Sequence, residues 1–170
     1  MASIFGHSLV AYTVAKVVDS KSSKLLVFLA IGSSVLPDLD VLGFLFGIDY
    51  LHPLGHRGFT HSILFALLWT GLLTFLFGKS RPFIFTVVLF LSTISHGVLD
   101  AMTSGGEGVG FLIPFDNARY FFPFREIKVS PIGVEKFLSE WGVRVILSEI
   151  QYIAIPCGII LLIHFFLNKS

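Results

Sequence analysis

Three short stretches carry the residue types that bind metal ions and phosphates. HRGFTHS, His56 to Ser62, places two imidazoles, a guanidinium and two hydroxyls at the mouth of an uncharged run that extends from Ser62 to Gly78. Gly58 permits a turn, so His56 and His61 can face one pocket from a loop and a helix start. PDLD puts Asp38 and Asp40 behind Pro37, where an extended backbone would aim them at different neighbours or let one bridge two ions. HGVLD spaces His96 and Asp100 at i and i+4, one above the other on a helix face and within reach of one ion. All these ligands are nitrogen or carboxylate oxygen, which suits zinc, manganese or iron. The single cysteine, Cys157, excludes a disulfide framework and a cysteine-based metal site.

The scaffold that positions these groups is set by composition. Of 170 residues 54% are hydrophobic and only 14% charged, and phenylalanine alone occurs 19 times. A soluble domain of this size cannot hide that much apolar surface, and the apolar residues come in uncharged blocks, so lipid is the expected solvent. The blocks run from Ile4 to Val18, Leu25 to Leu36, Ser62 to Phe77, Pro82 to Leu99 and Ile150 to Leu167, with Val41 to Ile48 too short to span. Several are shorter than the roughly 20 residues that cross a 30 Å hydrocarbon core, so short or re-entrant helices are expected. Pro37 and the Gly78–Pro82 turn read as breaks. The start lacks a basic stretch before its apolar run and reads as no removable signal peptide. The fold class expected is all-α: a polytopic helical membrane protein with about five short helices in one domain, residues 100–144 forming an interfacial region over the site. The net charge of +1 singles out no partner, and no nucleic-acid partner is expected.

Letting each block cross once sorts the charges. One face receives Lys16, Lys21, Lys24, Lys79, Arg81 and Lys169 against a single acid, Asp19. The other receives the remaining six basic residues, ten acids, and the histidines His7, His52, His56, His61 and His96. Short basic loops stay in the cytoplasm, so the histidine-bearing face is expected outside or in the periplasm. An imidazole or carboxylate at the membrane is costly unless paired or liganded, which makes this convergence a candidate site. His52 reads as a loop residue and His164, at the opposite end, as structural.

SSVLPDLD, GHRGFTHS, HGVLDAMTSGG and LIPFDNARYFFPF resemble, in order, the motifs of the YdjM-like family of predicted membrane-bound metal-dependent hydrolases of bacteria and archaea. That family is distantly similar to zinc-dependent phospholipase C and P1 nuclease. The resemblance implies that His7, Asp38, Asp40, His56, His61, His96 and Asp100 are metal ligands. The soluble relatives use a processed N-terminal amine as a ligand, whereas six residues precede His7 here, so a third ion does not carry over.

Seven ligands exceed the needs of one tetrahedral ion, so two or more divalent ions are expected, zinc foremost, at the 3.5 to 4 Å spacing typical of paired sites. Asp38 and Asp40 are the candidate catalytic carboxylates, with Thr60, Ser62 and Thr103 orienting ligands. Arg57 and Arg119, with Arg125 beside them, are expected to clamp a phosphate. The expected activity is hydrolysis of a phosphoester in an amphipathic or lipid-linked substrate, its tails remaining in the bilayer. The alternatives are a metal-ion transporter and a metal-binding membrane protein without hydrolase activity. Transport sites sit near the bilayer midplane, away from the face these residues share.

Overall fold

The structure is a computed structural model and describes residues 1–131 and 133–169. Helix α1 spans Ile4–Val18 and starts where the Ser3 hydroxyl accepts the Gly6 N–H. A turn leads to α2, Lys24–Val35, capped in the same way by Ser23 on Leu26 N–H. The chain does not break at Pro37. The rod tightens into a 3-10 stretch, Leu36–Phe46, and ends only at Gly47, whose φ is +72°. Proline's fixed φ suits the first turn of a helix, so Pro37 changes the winding rather than stopping it. Val41 to Ile48 is therefore no separate segment; most of it completes one 23-residue apolar rod, Lys24–Phe46.

Turns through residues 47–58 and a single 3-10 turn, Phe59–His61, lead into α3, Ile63–Phe77. Ser62 caps it by accepting the Phe65 N–H, which accounts for the final serine of HRGFTHS. Helix α4, Pro82–Ala101, returns to the same end, and an irregular stretch over 102–131 follows. Helices α5, Val134–Phe137, and α6, Glu140–Glu149, close the loop region. From α6 a π turn, Ile150–Ala154, runs straight into α7, Ile155–Leu167. Pro156 cannot donate to the preceding turn, which is where the winding widens. The last rod, Glu140–Leu167, thus starts ten residues before the apolar block and takes in the end of the expected 100–144 loop region.

Three rods, Lys24–Phe46, Pro82–Ala101 and Glu140–Leu167, are long and apolar enough to cross a membrane, and Ile4–Val18 and Ile63–Phe77 are shorter apolar helices. At 1.5 Å per residue these two reach about 22 Å, short of a hydrocarbon core. Among the described residues there is no strand, only two isolated bridges. Helices α1, α2 and α4 pack on one another through Ala11, Ala15, Ala30, Leu26, Val88 and Leu89, all essentially closed to solvent. Small side chains let helix backbones approach closely where lipid offers no hydrophobic drive. The outer surface is the reverse: Phe28 is 73% exposed, Phe46 82%, and only 11% of the apolar window in the last rod is buried. Apolar side chains so exposed on helices of this length belong against lipid.

Candidate metal centre

The helix directions bring the ends of the 3-10 stretch, α3 and α4 together at one end of the bundle. Within the 3-10 stretch each residue advances about 120°, so Asp38 and Asp40, two apart, point in directions about 120° from each other. They are helical rather than extended, and this winding is what parts them, since residues two apart on an extended backbone line one face.

Asp38 meets His61, His96 and Asp100, and the four donor atoms all lie within 4.8 Å of one another. Donors around a tetrahedral ion with bonds of about 2.0–2.2 Å stand about 3.3–3.6 Å apart. Here His61 Nε2 is 3.0 Å from His96 Nε2, 3.8 Å from Asp38 Oδ1 and 3.6 Å from Asp100 Oδ2. His96 Nε2 is 3.3 Å from Asp38 Oδ1 and 4.0 Å from Asp100 Oδ2. Buried polar atoms normally have partners. Asp38 Oδ1 and Asp100 Oδ2, both facing this centre, accept no hydrogen bond among the described residues. A divalent ion at this point would satisfy both.

The far side of each ring is fixed. His96 Nδ1 is 2.6 Å from the Ser34 carbonyl, to which it donates, leaving the Nε2 lone pair able to ligate an ion. His61 Nδ1 faces Asp40 Oδ2 at 3.2 Å and the Thr60 hydroxyl at 3.0 Å. A carboxylate behind a ligating histidine fixes its tautomer and raises its basicity. Asp40 Oδ2 also accepts the Thr60 hydroxyl and the Arg57 N–H, while Asp40 Oδ1 holds His56 Nδ1 at 2.6 Å. Asp40, His56 and His61 form a second group able to hold an ion, on the opposite nitrogen of the shared His61. Burial would lower the His61 imidazole, but Asp100, Asp38 and Asp40 outweigh it and lift it to about 10. The cluster draws in positive charge.

His7 joins from α1: it is fully buried, stacks on His96 with ring centres 3.8 Å apart, and places Nε2 3.4 Å from Asp100 Oδ1. Neither of its ring nitrogens has a hydrogen-bond partner among the described residues. The same Asp100 oxygen accepts the Ala2 N–H at 2.9 Å.

Arg57 is not at the mouth, where a phosphate clamp would need it. Its side chain is closed to solvent, Nε lies 3.0 Å from Asp100 Oδ2 without hydrogen-bond alignment, and the terminal nitrogens donate to Gly105 O and Thr103 Oγ. Burial drives this arrangement, because three clustered carboxylates need an internal cation. Its φ of +61° is a left-handed conformation rare for a side chain of this kind, held by Asp40 on its N–H and by Gly110 N–H on its carbonyl. Gly106 exists for the same reason: a Cβ there would stand 2.5 Å from Arg57 Nη1. Arg119, partly exposed, spends its terminal nitrogens on the carbonyls of His56, Tyr50 and His52, tying down the loop beside the site. Arg125 lies 3.6 Å over the Phe121 ring and donates to Thr103 O. His52 is an exposed loop residue and His164 lies at the opposite end, as expected.

All seven residues expected as ligands thus converge, Asp40 and His56 through hydrogen bonds to one another. Sequence reasoning missed the Ser34 carbonyl, Tyr50 against the His56 ring, and the Gly105–Gly106 pair that receives Arg57. A backbone carbonyl leaves no trace in residue type. The glycine pair so soon after Asp100 was the one available signal of a tightly packed backbone.

Fold and site together define an all-helical membrane protein with buried His/Asp groups at one end that could hold a metal ion. The chain belongs to the YdjM inner membrane protein family, whose model matches residues 1–169, and is accordingly a cell membrane protein. It is 40% identical over 137 residues to inner membrane protein YbcI of Escherichia coli (strain K12), an alignment covering 77% of this chain and 78% of that one. No solved structure matches the chain.

Proposed function

We propose that this chain is a metal-dependent hydrolase of the membrane surface, cleaving a phosphoester in a lipid or lipid-linked substrate. The observation that carries the reading is the near-tetrahedral convergence of Asp38, His61, His96 and Asp100 where apolar helices end. Two imidazole nitrogens and two carboxylate oxygens suit zinc best, with manganese or iron as the other candidates. A second ion on the far nitrogen of His61 would lie farther off than the 3.5 to 4 Å of paired hydrolytic sites. His7 and Asp100, 3.4 Å apart, are the residues that would hold a closer second ion. The distant similarity of the YdjM-like family to zinc-dependent phospholipase C and P1 nuclease favours the same chemistry.

Bound divalent ions polarise a phosphoryl oxygen and lower the pKa of water so that it attacks at neutral pH. The chain's own groups do the rest. The Asp38 side chain is 12% exposed while those of His61, His96 and Asp100 are closed, so substrate reaches the site past Asp38. Asp38 is placed to hold the proton given up by the attacking water. Asp40 orients His61 and His56 without meeting substrate, and Arg57 balances the charge of Asp100 from inside. Arg119 contributes positive charge at the rim, beside the His56 loop. The acidic, histidine-bearing end faces the periplasm, because the basic connections at the other end stay in the cytoplasm.

The first test is elemental analysis of detergent-purified protein. Two ions per chain, falling to one in His7→Ala, support the paired site, and a metal-replete preparation without any ion sinks the reading. Hydrolysis of micellar phosphoester lipids by the loaded protein, lost on chelation and restored by added zinc, supports the enzyme. Metal uptake into proteoliposomes without hydrolysis would assign the site to transport instead.

A further inference from the structure

At the end of the bundle opposite the His/Asp cluster, two grooves flank α1. One, of about 440 Å³, lies between α1 and α7 and is lined by Tyr12, Lys16, Leu161, His164, Phe165 and Lys169 among others. The second, of about 410 Å³, lies between α1 and α2, with Tyr12 and Lys16 again and Lys24, Val27, Phe28 and Ile31. Tyr12 and Lys16 are common to both, so the grooves meet at one lysine.

The charge here is unbalanced. Asp19, the acid of this end, is buried and taken by Arg81 at 2.8 Å, which ties the end of α1 to the start of α4. No carboxylate lines either groove, and among the described residues Lys16, Lys24 and Lys169 form no ion pair. Two of them face rings: Lys16 Nζ lies 6.0 Å from the Tyr12 ring centre and Lys169 Nζ 5.6 Å from that of Phe165. Below the lysines both walls turn apolar, with Phe28 on one side and Leu161 and Phe165 on the other running into the lipid-facing surface. Basic pockets between spanning helices attract phospholipid head groups, and lysine stems lie along apolar surface with the ammonium held at the interface.

We infer that this end of the bundle binds one anionic two-chain phospholipid, its phosphate at Lys16 between Lys24 and Lys169, and one acyl chain in each groove. The occupant is a lipid rather than free phosphate because the cations top two apolar channels, and an ion alone would leave both channels empty. The site is independent of the hydrolase reading, since it shares no residue with the His/Asp cluster.

The test is native mass spectrometry of the full chain released from nanodiscs of equal phosphatidylglycerol and phosphatidylcholine. One phosphatidylglycerol per chain is expected to survive release, with phosphatidylcholine lost. Retention should fall at least about fivefold in Lys16→Gln, fall less in Lys24→Gln and Lys169→Gln, and persist in Lys16→Arg. Lys79→Gln removes a cation from the same end but outside both grooves, and should leave retention unchanged. Equal loss in Lys79→Gln and Lys16→Gln would show only diffuse surface charge and overturn the site, as would equal retention of both lipids.

Discussion

Asp40 and Arg57 show how side chains outside the tetrahedral set control it. Asp40 accepts hydrogen bonds from three directions and holds two imidazoles at once, so its removal frees the rings without removing a ligand atom from that set. Asp40→Asn is expected to weaken metal binding about 10- to 100-fold, the usual effect of losing an orienting carboxylate, with the fold retained. Metal content after dialysis against graded chelator reads this directly. Arg57→Met strips the buried cation from Asp100 and leaves an uncompensated carboxylate, at a cost of about 3–5 kcal/mol. Thermal denaturation of the ion-free protein should show that loss, and added metal should recover part of it by supplying positive charge to the same carboxylate.

At the scale of elements, the site depends on how the loop between the 3-10 stretch and α3 is folded. Gly58 is the tight point: a Cβ there would sit 2.3 Å from the Pro53 carbonyl oxygen and 2.7 Å from that of Gly55. Gly58→Ala must push this backbone apart, displacing His56 and His61 together. The expected result is loss of metal binding while the α1–α2–α4 packing survives, because the core residues of those helices lie elsewhere. Helix content by circular dichroism should stay near the wild-type value as metal stoichiometry collapses; a parallel loss of both would mean the loop nucleates the bundle.

For the whole molecule, an ion held by the His/Asp cluster would be a cross-link. The four residues that could hold it come from the 3-10 stretch, the turn before α3, and α4, which are otherwise joined by side-chain packing and by the hydrogen bonds that Asp40 makes to the turn. A ligand bound only to the folded state stabilises it by about 2.7 kcal/mol at 100 times its Kd. Chelation should therefore lower the unfolding temperature in detergent, in proportion to the logarithm of free metal, and restoring zinc should reverse it. An unfolding temperature that ignores the metal concentration would mean that the His/Asp cluster holds no ion in the folded state.

Much of this protein was legible in its residues. Uncharged blocks located the membrane helices, because no other solvent accommodates that much apolar surface, and the basic connections divided the two ends. Residue type and spacing also named the residues that meet in the His/Asp cluster, since His96 and Asp100 four apart on a helix must share a face. The tertiary structure decided what those patterns leave open. Whether Pro37 ends a helix or only tightens it depends on the packing of the rod beyond it, and the same holds for α6 beneath an amphipathic stretch that reads as loop. Arginine carries its charge whether it meets substrate or a buried carboxylate, so Arg57 reads in the sequence as a phosphate clamp, and only its burial beside Asp100 shows where its charge is used. Likewise a carboxylate that binds a metal and one that orients the histidine behind it are the same chemical group, and only the distances separate Asp38 from Asp40.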